Sequence, residues 1–147
     1  MKEIMLKNLI LSFSLFLTAC GGFEAIGPVT IAPEFMPYFL QYRIDKFNYT
    51  GSQSIRRINI IFSKLEDYSA VCLFKNKGEE TIEVDPEVWF KSTDTFKTIL
   101  IYHELGHCDL NLEHTTENFI MNPYLIDDIL FNTNRNYYLT MLFKEGK

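Results

Sequence analysis

Apolar residues recur along this chain in two rhythms, one near helical and one near strand period, and each rhythm marks elements. In PEFMPYFLQYRIDKFN, Phe35, Phe39, Tyr42 and either Ile44 or Phe47 fall at helical spacing, which predicts a helix over about 34–47 buried along that stripe. Pro37 is tolerable in the first turn, and Tyr49-Thr50-Gly51 ends the run. RRINIIFSKL is short, rich in isoleucine and predicts a buried strand. SAVCLFK and ETIEVD predict two more, separated by Asn76-Lys77-Gly78; in the second, Ile82 and Val84 alternate with Thr81 and Glu83, the pattern of a half-buried strand. Asp85-Pro86 stops it. STDTFKTILIYHELGHCDLN is the strongest helix, with Ser92, Thr93 and Asp94 as candidate caps and Ile99, Leu100 and Leu105 on its buried side. Asn111 is its natural exit, because asparagine tolerates the left-handed conformation that ends helices. After Met121-Asn122-Pro123, a final segment around Asn134 to Phe143 is helical again. Helix, three or more strands, long helix, loop, helix is an α+β order.

Composition narrows this picture. The 147 residues allow one compact domain, and 47% hydrophobic with 15% aromatic residues is enough for a real core. The net charge is -5 and the longest basic run is Arg56-Arg57, which excludes a concentrated phosphate-binding face and with it nucleic acid as a partner. The first residues stand apart: MKEIMLKN carries Lys2 and Lys7, and LILSFSLFLTA is an apolar run too short to span a bilayer, the form of a secretory signal peptide over 1–19. Its end, Leu17-Thr18-Ala19-Cys20, resembles the lipobox of bacterial lipoproteins, in which the cysteine becomes the acylated first residue of the mature chain. Gly21 follows rather than the aspartate of an inner-membrane retention signal, so the expected address is the outer membrane. Residues 20–33 then form a tether with Gly and Pro punctuation, and 34–147 the folded domain. Cys72 and Cys108 remain, an even pair in an exported chain; they form either a disulfide tying a strand to the long helix or two small buried thiols.

All three histidines fall within HELGHCDLNLEH, residues 103–114. His103 and His107 are four apart, so on a helix both rings lie on one face and can reach one Zn²⁺ at ~2.0–2.1 Å. Glu104 lies beside the first ligand and, in the H-E-x-x-H arrangement, is the general base that takes a proton from metal-bound water. A straight helix would carry His114 ~10.5 Å beyond His107, too far to share an ion. The chain must therefore turn, and Asn111 is the residue suited to turn it. His114 is then the third ligand, with Glu113, Asp109 and Glu117 as the alternatives.

HELGHCDLNLEH followed by FIMNPY resembles the metzincin clan of zinc endopeptidases, with its H-E-x-x-H-x-x-G-x-x-H motif and later Met-turn. It is similar in particular to small bacterial lipoproteins reading H-E-L-G-H-C-x-L, then H, then I-M-N-P, over about Val71 to Tyr124. The chain departs from the clan in one respect: His114 comes one residue late, and Glu113 occupies the clan's third-ligand position. The resemblance implies a small metzincin-like domain, with Met121 as the Met-turn floor beneath the metal. It also implies that the strand before the last, Ala70 to Lys75, borders the cleft and pairs with substrate. Tyr124, and less so Tyr102, are candidates to stabilise a developing oxyanion.

The expected function is a lipid-anchored, monomeric zinc endopeptidase acting on peptides or proteins in the cell envelope. A zinc-binding lipoprotein without turnover is the alternative; Glu113 joining the three histidines would close the site in that way.

Overall fold

In a computed structural model, residues 29–75 and 79–145 are described; the expected signal peptide, Cys20 and most of the tether lie outside them. The described residues form a mixed α/β unit, consistent with the expected α+β class: a three-stranded sheet and five α-helices. No helix among them is long and apolar enough to cross a membrane.

A short 3-10 turn, Pro33–Phe35, leads into α1, Met36–Thr50. Gly51 closes α1 at φ 72°, returning its N–H to the Phe47 carbonyl, so the helix runs slightly beyond the predicted end. Strands β1 (Arg57–Phe62), β2 (Ala70–Lys75) and β3 (Glu79–Val84) follow as predicted. Their order in space is β1-β3-β2: β3 is central, parallel to β1 and antiparallel to β2. Residues 30–32 cover the outer side of β1, where Ala32 N–H donates to Ile60 O and Ile60 N–H to Thr30 O. The outer side of β2 has no strand partner among the described residues. β2 is therefore the free edge of the sheet.

Two short helices were not expected. Asp85 not only ends β3 but caps α2, Pro86–Lys91, accepting the Glu87 and Val88 amides, with Pro86 in the first turn where its missing donor does no harm. Asp127 caps α4, Asp128–Thr133, in the same manner. Helix α3, Asp94–Cys108, starts at Thr93, whose hydroxyl accepts the Phe96 amide. Helix α5, Arg135–Glu145, completes the fold.

The core has two aromatic centres. Phe35 packs on Phe62 and Trp89, and Tyr42 meets Tyr102 edge-on with Phe143 beside it. Tyr42 and Tyr102 belong to α1 and α3, and here the periodicity misjudged α1. Phe35 and Tyr42 are buried and Phe39 partly so, yet Ile44 and Phe47 are exposed, while Asp45 and Lys46 are buried. These two charges are paired. Asp45 accepts from Tyr102 Oη and Arg135 Nη2, each at 2.6 Å, and Lys46 Nζ lies 2.6 Å from Asp109 Oδ2. Asp109 also accepts from Tyr42 Oη and the Arg56 amide. Removing either member of the Lys46–Asp109 pair would strand a buried charge at a cost of about 3–5 kcal/mol. The network clamps α1 and α5 against α3, whose opposite side carries the histidines.

Candidate metal centre

Helix α3 ends where the metal argument needs it to. Asn111 is the only non-glycine residue at positive φ among the described residues, at 58°. That single left-handed residue lets the Leu112 N–H reach back to the Gly106 carbonyl at 3.0 Å. The Leu112 carbonyl then lies 2.7 Å from His107 Nδ1, and the chain carries His114 back over α3. On the other side, the Ile120 carbonyl lies 2.7 Å from His103 Nδ1.

Both carbonyls can only accept, so both Nδ1 atoms carry the proton and donate, leaving the Nε2 lone pairs of the two rings free. Those lone pairs face one another: His103 Nε2 is 3.2 Å from His107 Nε2 and 3.0 Å from His114 Nε2. The His103 and His107 Nε2 atoms are both acceptors and cannot bond each other at 3.2 Å, an arrangement that a shared cation would satisfy. A tetrahedral ion with bonds of ~2.0–2.1 Å would set neighbouring donors roughly 3.3 Å apart, close to what is found. All three ligand atoms lie within 4.8 Å of one another, so the group could hold a metal ion. Burial lowers His103 to about 4 and His107 in the same direction, which keeps both rings neutral and ready to ligate near pH 7. The carbonyl partners fix ring orientation as outer-shell groups do in metal sites.

His114 thus joins the pair, and the alternatives do not. Asp109 is committed to Tyr42, Lys46 and Arg56; Glu113 and Glu117 are exposed and outside the group, although Glu113 lines the same cleft. His103 is buried, His107 half-buried and His114 exposed, so the cluster opens to solvent on the His114 side.

Met121 is buried, 1% exposed, and its side chain packs against α3 at Gly106. Its sulfur would be 2.3 Å from a Cβ added at Gly106, the residue immediately before His107. Only glycine lets the loop approach α3 this closely. The loop is tied locally: Asn122 N–H donates to Phe119 O, Thr115 N–H to Met121 O, and the Asn122 amide to Glu117 O. Nothing in the spacing of apolar residues announced the role of Gly106.

Glu104 is 5% exposed, and burial pushes its carboxyl up to about 7, opposed in part by a hydrogen bond from the Cys72 backbone. Cys72 belongs to edge strand β2, and its Sγ is bonded to that of Cys108, the last residue of α3. The disulfide therefore staples the free edge to the helix that carries Glu104. Between them runs a cleft of about 520 Å³, lined by Ala70, Val71 and Cys72 on one side and by Leu100, His103, Glu104 and His107 on the other, with His114, Pro123 and Leu125 at the end.

Neither candidate tyrosine is among the residues lining the cleft. Tyr124 is 87% exposed, and its backbone amide donates to Asn122 Oδ1. Tyr102 is buried on the α1 side, its hydroxyl on Asp45. The tyrosine that does line the cleft is Tyr68, in the loop before β2, which carries no sequence signal to single it out. No protein-family model matches this chain, and no curated protein or solved structure matches it.

Proposed function

We propose that the chain is a zinc-dependent peptidase, metzincin-like in its motif and element order, acting on peptide bonds in the cell envelope. One observation carries the reading: three convergent imidazole nitrogens share a cleft with a buried carboxyl and a free sheet edge. His103, His107 and His114 would hold the ion, and zinc bound there supplies Lewis acidity that brings water towards a pKa of ~7 and polarises a carbonyl. The rest of the chemistry belongs to the chain. An extended peptide adds to the outer side of β2 through main-chain hydrogen bonds, which carries a scissile carbonyl along the cleft to the histidines. Glu104 accepts a proton as water oxygen attacks the carbonyl carbon. It returns that proton to the amide nitrogen as the C–N bond breaks, leaving an acid and an amine. A carboxyl with a proton affinity near neutrality can serve in both directions.

The competing reading is a closed structural site without turnover. Among the described residues the metal-competent group contains no carboxylate, which favours a site with one position left for water. The deciding experiment is Glu104→Gln in the mature chain. Stoichiometric zinc should remain while cleavage of unfolded protein substrates falls by about 10²–10⁴. Undiminished cleavage removes Glu104 from the mechanism, and absence of zinc from the parent chain removes the mechanism itself.

The same proposal puts the enzyme on the membrane through acylated Cys20, on the outer rather than the inner membrane, as a monomer. Labelled palmitate incorporated by the parent chain and not by Cys20→Ala tests the anchor.

A further inference from the structure

Helix α1 is amphipathic in the wrong sense for a helix whose outer face meets only water. Its exposed positions are 36, 37, 40, 41, 43, 44, 47 and 48. At about 100° per residue these fill one continuous arc. The middle of that arc is Met36, Phe47, Leu40 and Ile44, with Arg43 on one margin and Gln41 and Asn48 on the other. The four apolar side chains are 38–54% exposed, and no acidic residue shares the arc, since Asp45 points inward. Scattered exposed hydrophobics are ordinary, whereas four in one stripe with a polar rim mark a surface that something covers.

We infer that this stripe seats α1 on the surface of the lipid bilayer. The inference rests on the acylated Cys20 of the preceding section, and two features of the chain favour lipid over a protein partner. Eight residues separate Cys20 from Val29, the first described residue. Fully extended, that stretch reaches roughly 30 Å at most, so α1 is held close to the anchoring leaflet. Arg43 at the margin, with no acidic residue beside it on the exposed arc of α1, suits a layer of lipid phosphates. The orientation is also productive: no α1 residue lines the cleft, so an enzyme resting on α1 keeps its substrate edge open to the aqueous side.

The test places an indole on the stripe. Leu40→Trp in the full mature chain adds a reporter to Trp89, which is 2% exposed and supplies a shielded background. The chain is reconstituted with phosphatidylethanolamine–phosphatidylglycerol vesicles, with and without bromine on the acyl chains, and the mass of its N-terminal peptide is measured. Bromine should quench the new indole by roughly half or more, as expected for a ring ~5–10 Å into the headgroup–acyl boundary. Ile44→Glu in the same chain, an exposed change that leaves the core alone, should abolish that quenching. If Cys20 carries lipid and the indole is not quenched, the docking inference falls while the anchor stands. If Cys20 carries no lipid, the anchor reading falls, and docking then stands only if quenching persists. A shift to a dimer in the absence of vesicles, reversed by Ile44→Glu, would assign the stripe to a second copy of the chain and overturn the inference.

Discussion

Replacing the proposed general base should make the metal-free protein more stable, and only above a certain pH. The Glu104 carboxyl is 5% exposed, and burial raises it from the ordinary 4.5 to about 7, with the Cys72 backbone pulling weakly the other way. In the unfolded chain the proton leaves near 4.5; in the folded chain it stays until about 7. Between those values the folded state binds more protons, so its stability falls as pH rises through the window. The contribution is complete below 4.5 and gone above about 7. At about 1.4 kcal/mol per pH unit, the ionised carboxylate costs the fold on the order of 3 kcal/mol. Glutamine has the same shape and no charge to desolvate. The difference between Glu104→Gln and the parent should therefore be small at acid pH and grow to roughly 2–3 kcal/mol in favour of the variant above neutrality. His103 and His107 act in the opposite sense, since their lowered values destabilise the fold as pH falls below 6.5, but both chains contain them and their effect leaves the difference. Urea unfolding followed by Trp89 emission, with chelator present, across and on both sides of the window measures it. A variant less stable than the parent above pH 7, or a difference that does not change with pH, would refute the account of Glu104 as a desolvated carboxyl.

Three further outcomes follow from the geometry. Gly106→Ala drives a Cβ towards the Met121 sulfur, 2.3 Å away, and should cost about 1–3 kcal/mol; in a Met121→Ala background the same change should become neutral or stabilising by up to ~1 kcal/mol, because alanine is the better helix former, and a thermal double-mutant cycle reads the sign. Asn111→Gly should keep both stability and zinc affinity, whereas Asn111→Val strains the left-handed corner by about 1–2 kcal/mol and swings His114 off the ion, weakening zinc in a competition titration. Replacing Cys72 and Cys108 with alanine opens a loop of sequence separation 36 and should cost about 3–4 kcal/mol in urea unfolding; a loss of turnover larger than the loss of folded protein would show the staple positioning β2 and Glu104 as well.

Local chemistry alone determined a good deal of this protein. The three strands, the start of α3 at Thr93, the left-handed Asn111 and the gathering of all three histidines in twelve residues depend on neighbours in sequence, and all could be read there. The caps of α2 and α4 are equally local, in Asp85-Pro86 and Asp127. What only the tertiary structure decided depends on distant partners. Periodicity buried Ile44 or Phe47 because it ranks residues by hydrophobicity; the fold exposes both and instead buries Asp45 and Lys46, because Tyr102, Arg135 and Asp109, 57–90 residues away, satisfy their charges. The free edge at β2, the close approach of Met121 to Gly106 and the exposure of Tyr124 share that character. Each is set by which surfaces meet, and a pattern along one segment carries no information about the segment that will cover it.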